Sequence, residues 1–428
     1  MIAENKITSA IARAQKFLLS QQHADGSWRV EEIKHKEPSV YQTPLVLTSQ
    51  CMQTLLFSLD RENVPAISKA LRFCLMEEIS DKDPVDLCAW KLLALRFSNA
   101  QLYAKEQEKL SERLVKEQTS EGFWRAFPNT SNLTNFSCVL ALKDSPFQKN
   151  LEKAKTWFKE TRAEDGKGWG FDNNAKESEV SFTGNVILAL LLSGEDPMFA
   201  ELQQARKFLE EKQFKDGGWS SSKLTVANKQ TTYSTAVALM SLMQLSENPF
   251  DEKIEKGIKA LLGAQLENGC WPLVFGEDII DFYPNLYAVK TLSYYLYLKD
   301  NWDKPEYKLL KKQLKFTQHF TAMLALQFED KIKIGFGQAT YKSILDSRIL
   351  GITDKAVERR KEILRILTEQ GEKDCAEIID ALKEIPRYQT LNKRSHMTQI
   401  KADIDFLRTL KVIQVTESDK YFSTFSLV

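Results

Sequence analysis

Two helical patterns alternate over the first 300 residues. Segments such as Ile7–Gln21 and Phe199–Gln213 carry one apolar stripe at helical spacing on an otherwise polar surface, which predicts helices lying on the outside of a layer. Segments such as Phe182–Leu192 and Thr232–Leu245 come after a polar loop and are apolar nearly all round, which predicts helices buried on every side. Each striped helix and the apolar helix after it form one hairpin.

The turn inside each hairpin carries a motif. Gln22-x-x-x-Gly26-x-Trp28, Gln118-x-x-x-Gly122-x-Trp124, Gln213-x-x-x-Gly217-x-Trp219 and Gln265-x-x-x-Gly269-x-Trp271 are four copies, and Asp165-Gly-Lys-Gly-Trp169 is a fifth without the glutamine. The tryptophans stand 96, 45, 50 and 52 positions apart, so a copy with an eroded motif is expected near residue 76, within the amphipathic run Ala66–Glu78. Six hairpins closed in a ring make an all-α toroid whose apolar helices surround a central cavity. Glycine relieves the turn and tryptophan packs over it, a structural use of both residues.

These repeats resemble those of the squalene–hopene/oxidosqualene cyclase superfamily, whose α/α toroid is shared with protein prenyltransferase β-subunits. Gln230-Thr-Thr-Tyr-Ser-Thr-Ala-Val-Ala-Leu-Met240 and Glu179-Val-Ser-Phe-Thr-Gly-Asn-Val-Ile187 resemble inner-helix starts of the cyclases. Asp281-Phe-Tyr-Pro-Asn-Leu-Tyr287 resembles the run after their last repeat, two residues shorter. The resemblance covers residues 1–300 and implies the fold; the chemistry has to be read from the site.

The acid motif of a class II terpene cyclase, Asp-x-Asp-Asp-Thr-Ala, is not found. At the matching position Thr231-Thr-Tyr-Ser-Thr-Ala236 has hydroxyls instead of acids. Asp86 and Asp281 are the weak catalytic candidates, each in a cluster that does not reproduce the motif. The diphosphate-binding Asp-Asp-x-x-Asp of class I cyclases is also missing. The resemblance to prenyltransferases would imply zinc held by Asp, Cys and His. Asp281 fits the acidic position, but Phe282 and Tyr283 follow where Cys is wanted, and no His occurs between His35 and His319. Neither a metal nor a cofactor is expected.

Tyr41, Thr43, Asn135, Thr183, Asn185, Tyr233 and Tyr283 fall at inner-helix starts with Asp86 and Asp281 and are expected to line the cavity mouth. Hydroxyls, amides and aromatics suit a peptide or an apolar ligand. The same residue types cap helices, so capping and ligand contact both stay open at each position.

After Leu298 the repeat stops. Residues 301–353 read as a helical connector, and residues 354–428 have their own pattern. Ala356–Gln370, Asp374–Glu384 and Met397–Leu410 are predicted helices; Val412–Thr416 and Tyr421–Phe425 are predicted strands of a hairpin turning at Glu417–Lys420. Three helices and a β-hairpin resemble a winged helix-turn-helix, with Lys411 near where that family commonly has a glycine. Lys393, Arg394, His396, Thr398, Gln399 and Lys401 are the candidate contacts to nucleic acid or protein, but Asp403 and Asp405 offset them. A protein partner is therefore favoured over DNA.

Composition narrows the classes further. The 428 residues hold 59 Lys+Arg against 58 Asp+Glu, which excludes a globally basic nucleic-acid binder. The six cysteines are scattered without a CxxC pair, no signal-peptide plan opens the chain, and no run approaches a membrane span, so a cytoplasmic location is expected. Three readings remain. The first is a non-catalytic toroid binding a ligand or protein and coupled to a winged-helix module, as a regulator or adaptor of the kind found in bacterial stress or phage-defence systems. The others are a ligand-responsive transcription regulator and a divergent cyclase or prenyltransferase.

Overall fold

The computed structural model describes residues 2–302 except 31–39, 58–62, 99–102, 126–130, 144, 222–228 and 279–280. Beyond them it describes 359, 362–363, 365–367, 370–389, 397, 400–401, 403–404, 413–418 and 423–427. Two compact units result, one of Met1–Ser58 with Lys69–Met323, the other of Leu59–Ser68 with Leu324–Val428. The connector expected over 301–353 lies, from residue 303 on, outside the described residues.

The larger unit is helical. Six helices have one buried stripe or a short buried face: α1 (Glu4–Ser20), α3 (Val64–Met76, in this unit from Lys69 on), α5 (Ala104–Glu117), α7 (Gln148–Glu160), α9 (Ala200–Glu211) and α11 (Glu252–Gly263). In α9 only Leu202, Ala205, Phe208 and Leu209 are buried, the spacing of one helix face. Alternating with these are α2 (Pro44–Leu56), α4 (Val85–Ser98), α6 (Asn132–Leu142), α8 (Val180–Leu192), α10 (Thr232–Leu245) and α12 (Tyr283–Asn301). Every residue of α8 except Phe182 is buried.

Each apolar helix packs on the next, α2 on α4, α4 on α6, α6 on α8, α8 on α10 and α10 on α12. The ring then closes, because α12 packs against α2 and α1. At that seam Lys299 Nζ donates to the carbonyl of Ile2 at 3.0 Å and pairs with Glu4 at 3.1 Å. The expected α/α toroid of six hairpins is therefore present. Its eroded hairpin is α3–α4, where Ser80 and Asp83 bond each other across the turn in place of the Gly-Trp motif.

The second unit holds a short helix, α13 (Cys375–Lys383), and three strands, β1 (Lys373–Asp374), β2 (Ile413–Ser418) and β3 (Ser423–Leu427). The sheet is antiparallel in the order β1-β3-β2. Asp374 opens α13 with a capping box closed by Glu377, and Gly371 precedes it at φ 75°. Ile363, Ile366, Leu367, Ile378, Ile379, Leu382, Ile400 and Ile404 form its core. The two expected hairpin strands are observed slightly later in the chain than the sequence placed them, and β1 was not anticipated. Two residues carry too little pattern to announce a strand.

No helix among the described residues is long and apolar enough to cross a membrane.

Candidate functional site

The Gly-Trp turns engage two of the residues expected at the mouth. In each of the five turns the tryptophan is fully buried, and its indole N–H donates to a carbonyl of the outer helix just left: Leu18, Leu114, Phe158, Leu209 or Leu261, at 2.6–2.9 Å. Its backbone N–H donates to a side chain of the inner helix about to begin: Thr48, Asn135, Thr183, Thr235 or Asn285, at 2.8–3.1 Å. Of the residues expected at the mouth, Asn135 and Thr183 are thus spent on Trp124 and Trp169.

The motif glutamine works in the same joint. Gln118, Gln213 and Gln265 each donate to their own turn glycine and to a carbonyl of the next outer helix: Asn150, Lys253 and Ala10 respectively. In the copy without a glutamine, Arg162 takes its place, donating to the Gly166 carbonyl and to Gln204. The turn there is one residue longer, which hides the substitution from a fixed-spacing search: Ala163 bonds Gly168 across five positions, where His23 bonds Ser27 across four.

Asp86 opens α4 and is 1% exposed. Tyr41, on a single 3-10 turn before α2, donates its hydroxyl to one Asp86 oxygen at 2.5 Å, and Thr134 donates to the other at 3.1 Å. Burial raises the Asp86 carboxyl above its ordinary value, against the pull of those two hydroxyls. Asp281 is raised by burial too, while the backbone N–H groups of Phe282 and Tyr283 pull it down. Among the described residues the two carboxylates share no hydrogen-bond partner.

A second polar group gathers at the starts of α8, α10 and α12. Asn185 and Tyr233 exchange hydrogen bonds at 2.8 and 3.1 Å. Tyr233 meets Tyr283 and Tyr287 edge to face, with ring centroids 5.5 and 4.6 Å apart. Burial lifts the Tyr233 phenol to about 12, so it stays a neutral donor. Thr43 is the N-cap residue of α2 and makes no side-chain cap bond.

Deeper in the ring lies a cleft that sequence reasoning missed. Phe136, Leu140, Leu188, Leu192, Met240, Gln244 and Lys290 line it, and it closes to about 10 Å³, the room of one water. Lys290 is 5% exposed and Gln244 8% exposed, and the Gln244 amide nitrogen finds no hydrogen-bond partner among the described residues. Both sit mid-helix on apolar segments, where the pattern announces burial and nothing in it announces a site.

In the second unit Lys401 is exposed on its helix, whereas Asp403 turns inward and pairs with Arg359 at 2.5 Å. Lys393, Arg394, His396, Thr398 and Gln399 lie outside the described residues. No cluster of three or more metal-ligating side chains occurs among the described residues.

Comparison with known proteins matches this geometry. Residues 179–297 match the squalene-hopene cyclase C-terminal domain. Lanosterol synthase from Mus musculus is 35% identical over 102 residues, a match spanning 22% of this chain and only 13% of that enzyme. Among solved structures, the type II terpene cyclase MstE from Scytonema, in its apo form, superposes with a TM-score of 0.52 at 14% identity, over 68% of this chain and 98% of that one. A possible member of the GH105 family from Salmonella enterica gives 0.52 at 16% identity, over 70% and 95%. A protein from Actinoplanes gives 0.52 at 13%, over 67% and 98%. The chain has an α/α toroid fold like that of the terpene cyclase MstE. At these identities the likeness is one of fold, and the breadth of the neighbours underlines that the fold does not select a chemistry.

Proposed function

We propose that the toroid is a non-catalytic scaffold that binds a ligand or protein, coupled to a winged-helix interaction module, and that the protein acts as a regulator or adaptor. One observation carries the reading. The carboxylates Asp86, Glu179 and Asp281 stand at the starts of three different inner helices, and Asp86 and Asp281 are each engaged by donors of the chain itself. Where a cyclase carries its acids, Thr231 instead caps α10 and Thr235 holds Trp219. A setting of this kind suits a neutral lining better than a carboxyl acidic enough to protonate an alkene.

The module reading draws support from a helical core beside a three-stranded antiparallel sheet in residues 359–427, with Lys401 outward. Pairing of such a module with a toroid suits a multi-component bacterial stress or phage-defence system, by analogy of domain arrangement alone.

The test is turnover. Purified protein is incubated with isoprenoid substrates, geranylgeranyl dihydroxybenzoate among them, and is expected to leave them unchanged, while native mass spectrometry finds a retained ligand or partner. Cyclised product that disappears in Asp86→Asn would overturn the reading in favour of a divergent cyclase, the alternative that the raised Asp86 carboxyl favours. A salt-sensitive shift of DNA in a gel, lost in Lys401→Glu, would favour a transcription regulator instead.

A further inference from the structure

We propose that α13 of one copy docks in the groove between α1 and α11 of a second copy, so that the chain associates with itself through complementary charge. The inference is independent of what the central cavity binds.

The groove is peculiar to the seam of the ring. Gln118, Gln213 and Gln265 each bond the next outer helix, at Asn150, Lys253 and Ala10. Asn150 and Lys253 are the third and second residues of α7 and α11, and four positions before them stand Pro146 and Pro249, ahead of each helix. Ala10 is the seventh residue of α1, and four positions before it stands Lys6, inside the helix. The first turns of α1 therefore run on past the end of α11. They leave a groove of about 480 Å³ lined by Asn5, Lys6, Ser9, Ala10, Arg13 and Leu262.

No acid lines the groove. The Lys6 ammonium is exposed and has no partner among the described residues. Arg13 gives one N–H to Gln265 and keeps the rest of its fork. Glu4, the acid of the same turn, pairs with Lys299 instead. Lys6 and Arg13 are two helical turns apart, so both cations stand on one face, separated by about 10 Å along the axis. Ser9 and Ala10 between them are small, which lets another helix come close.

On α13 the acids have the same spacing. Ile378, Ile379 and Leu382 are its buried face, while Glu377, Asp380 and Glu384 are exposed. Glu377 and Glu384 are also two turns apart, with the small Ala381 between them. One Glu377 oxygen closes the capping box on the Asp374 N–H, and the other has no partner among the described residues. Laid antiparallel, which sets the positive end of each helix dipole beside the negative end of the other, Lys6 faces Glu384 and Arg13 faces Glu377. A helix of this length buries little area, and exposed ion pairs contribute little each, so the association is weak and sensitive to salt.

Sedimentation equilibrium of the full chain tests it. At about 0.1 M salt the average mass should rise with concentration. At about 1 M, where the screening length falls from about 10 Å to about 3 Å, it should stay at that of a single chain. Lys6→Glu and Glu384→Lys should each weaken the association about tenfold or more, by setting like charges opposite each other. Both positions are exposed, so thermal melting should not change. The double variant has the parent's net charge and should recover the association, because opposite charges face again. A single-chain mass at every concentration overturns the proposal, as does association that Lys6→Glu leaves intact. Loss in both single variants without recovery in the double overturns it too, since the two positions then do not face each other.

Discussion

The side-chain amide of Gln265 donates to the backbone carbonyl of Ala10 at 2.8 Å, across 255 positions of sequence. Gln118 and Gln213 make the same bond to Asn150 and Lys253, one hairpin ahead of each. The last hairpin therefore treats the first as its successor, and the glutamine that reads as a repeat signature is the residue that joins units. Beside each of these bonds the turn glycine lies against the same outer helix. A Cβ on Gly269 would overlap the backbone carbonyl of Arg13, as one on Gly122 would overlap that of Lys153.

Gly269→Ala is therefore expected to cost far more than Gly166→Ala. Both glycines have positive φ, 91° and 66°. A left-handed conformation alone costs an ordinary residue about 1–2 kcal/mol. Around Gly166 a Cβ meets nothing within 4 Å, so that cost stands by itself. At Gly269 the seam of the ring must also part. Urea denaturation of both variants measures the difference, and equal losses would show that the close approach to Arg13 does not matter.

Asn135→Ala should destabilise the fold by about 1–3 kcal/mol, the cost of leaving one buried backbone donor unpaired. Its side-chain oxygen accepts from Trp124 N–H at 2.8 Å, the acceptor for that donor among the described residues. Thr183→Ala should behave similarly through Trp169. Tyr233→Phe should change stability less, since the ring keeps its edge-to-face contacts with Tyr283 and Tyr287 and only the hydroxyl's bonds with Asn185 and Tyr287 are lost. If Asn135→Ala instead abolished ligand capture in a stable protein, the residue would belong to a binding site.

The toroid was legible in the sequence because its signals are periodic: an apolar stripe alternating with an apolar cylinder, and a glycine fixed by steric need. The site was less legible. Asn135, Thr183 and Tyr233 all sit at inner-helix starts and share a polar character, yet two bond a tryptophan and the third an asparagine. Sequence position cannot separate these roles, because the choice depends on which way one helix turn points. Lys290 and Gln244 gave no signal at all, being single polar residues within apolar helices. Arg162 was overlooked for a different reason, a one-residue insertion that moved it out of register with the glutamines it replaces.

Tyr41 and Asp86 should be energetically coupled. Removing the hydroxyl with Tyr41→Phe leaves a carboxylate, 1% exposed, with Thr134 as its remaining side-chain donor. Hydrogen bonds to charged groups contribute about 1.5–3 kcal/mol, and the double-mutant cycle with Asp86→Asn should show a coupling of that order. The pH profile gives an independent check. The folded Asp86 carboxyl titrates above its ordinary 3.8, so between 3.8 and the raised value the folded chain keeps a proton that the unfolded chain has released. Its contribution to stability is full below 3.8 and declines as pH rises through that interval. Asp86→Asn removes this decline. Tyr41→Phe should make it larger, because the lost hydroxyl was lowering the carboxyl.

The last prediction concerns the second unit. Asp403 lies on the helix expected to face a partner, and its charge was expected to oppose DNA binding there. Its side chain is instead 3% exposed and paired with Arg359, itself 15% exposed. Breaking a buried pair from one side leaves the other charge uncompensated and typically costs about 3–5 kcal/mol. Asp403→Ala should therefore melt the second unit at lower denaturant than the toroid. Replacing both partners, with Met at 359 and Leu at 403, should restore much of the loss, because an apolar pair of similar volume avoids desolvating two charges. Calorimetry of the full chain resolves the two units if they unfold separately. An Asp403→Ala protein with unchanged unfolding and stronger, salt-sensitive DNA binding would return the carboxylate to the surface and revive the transcription-regulator reading.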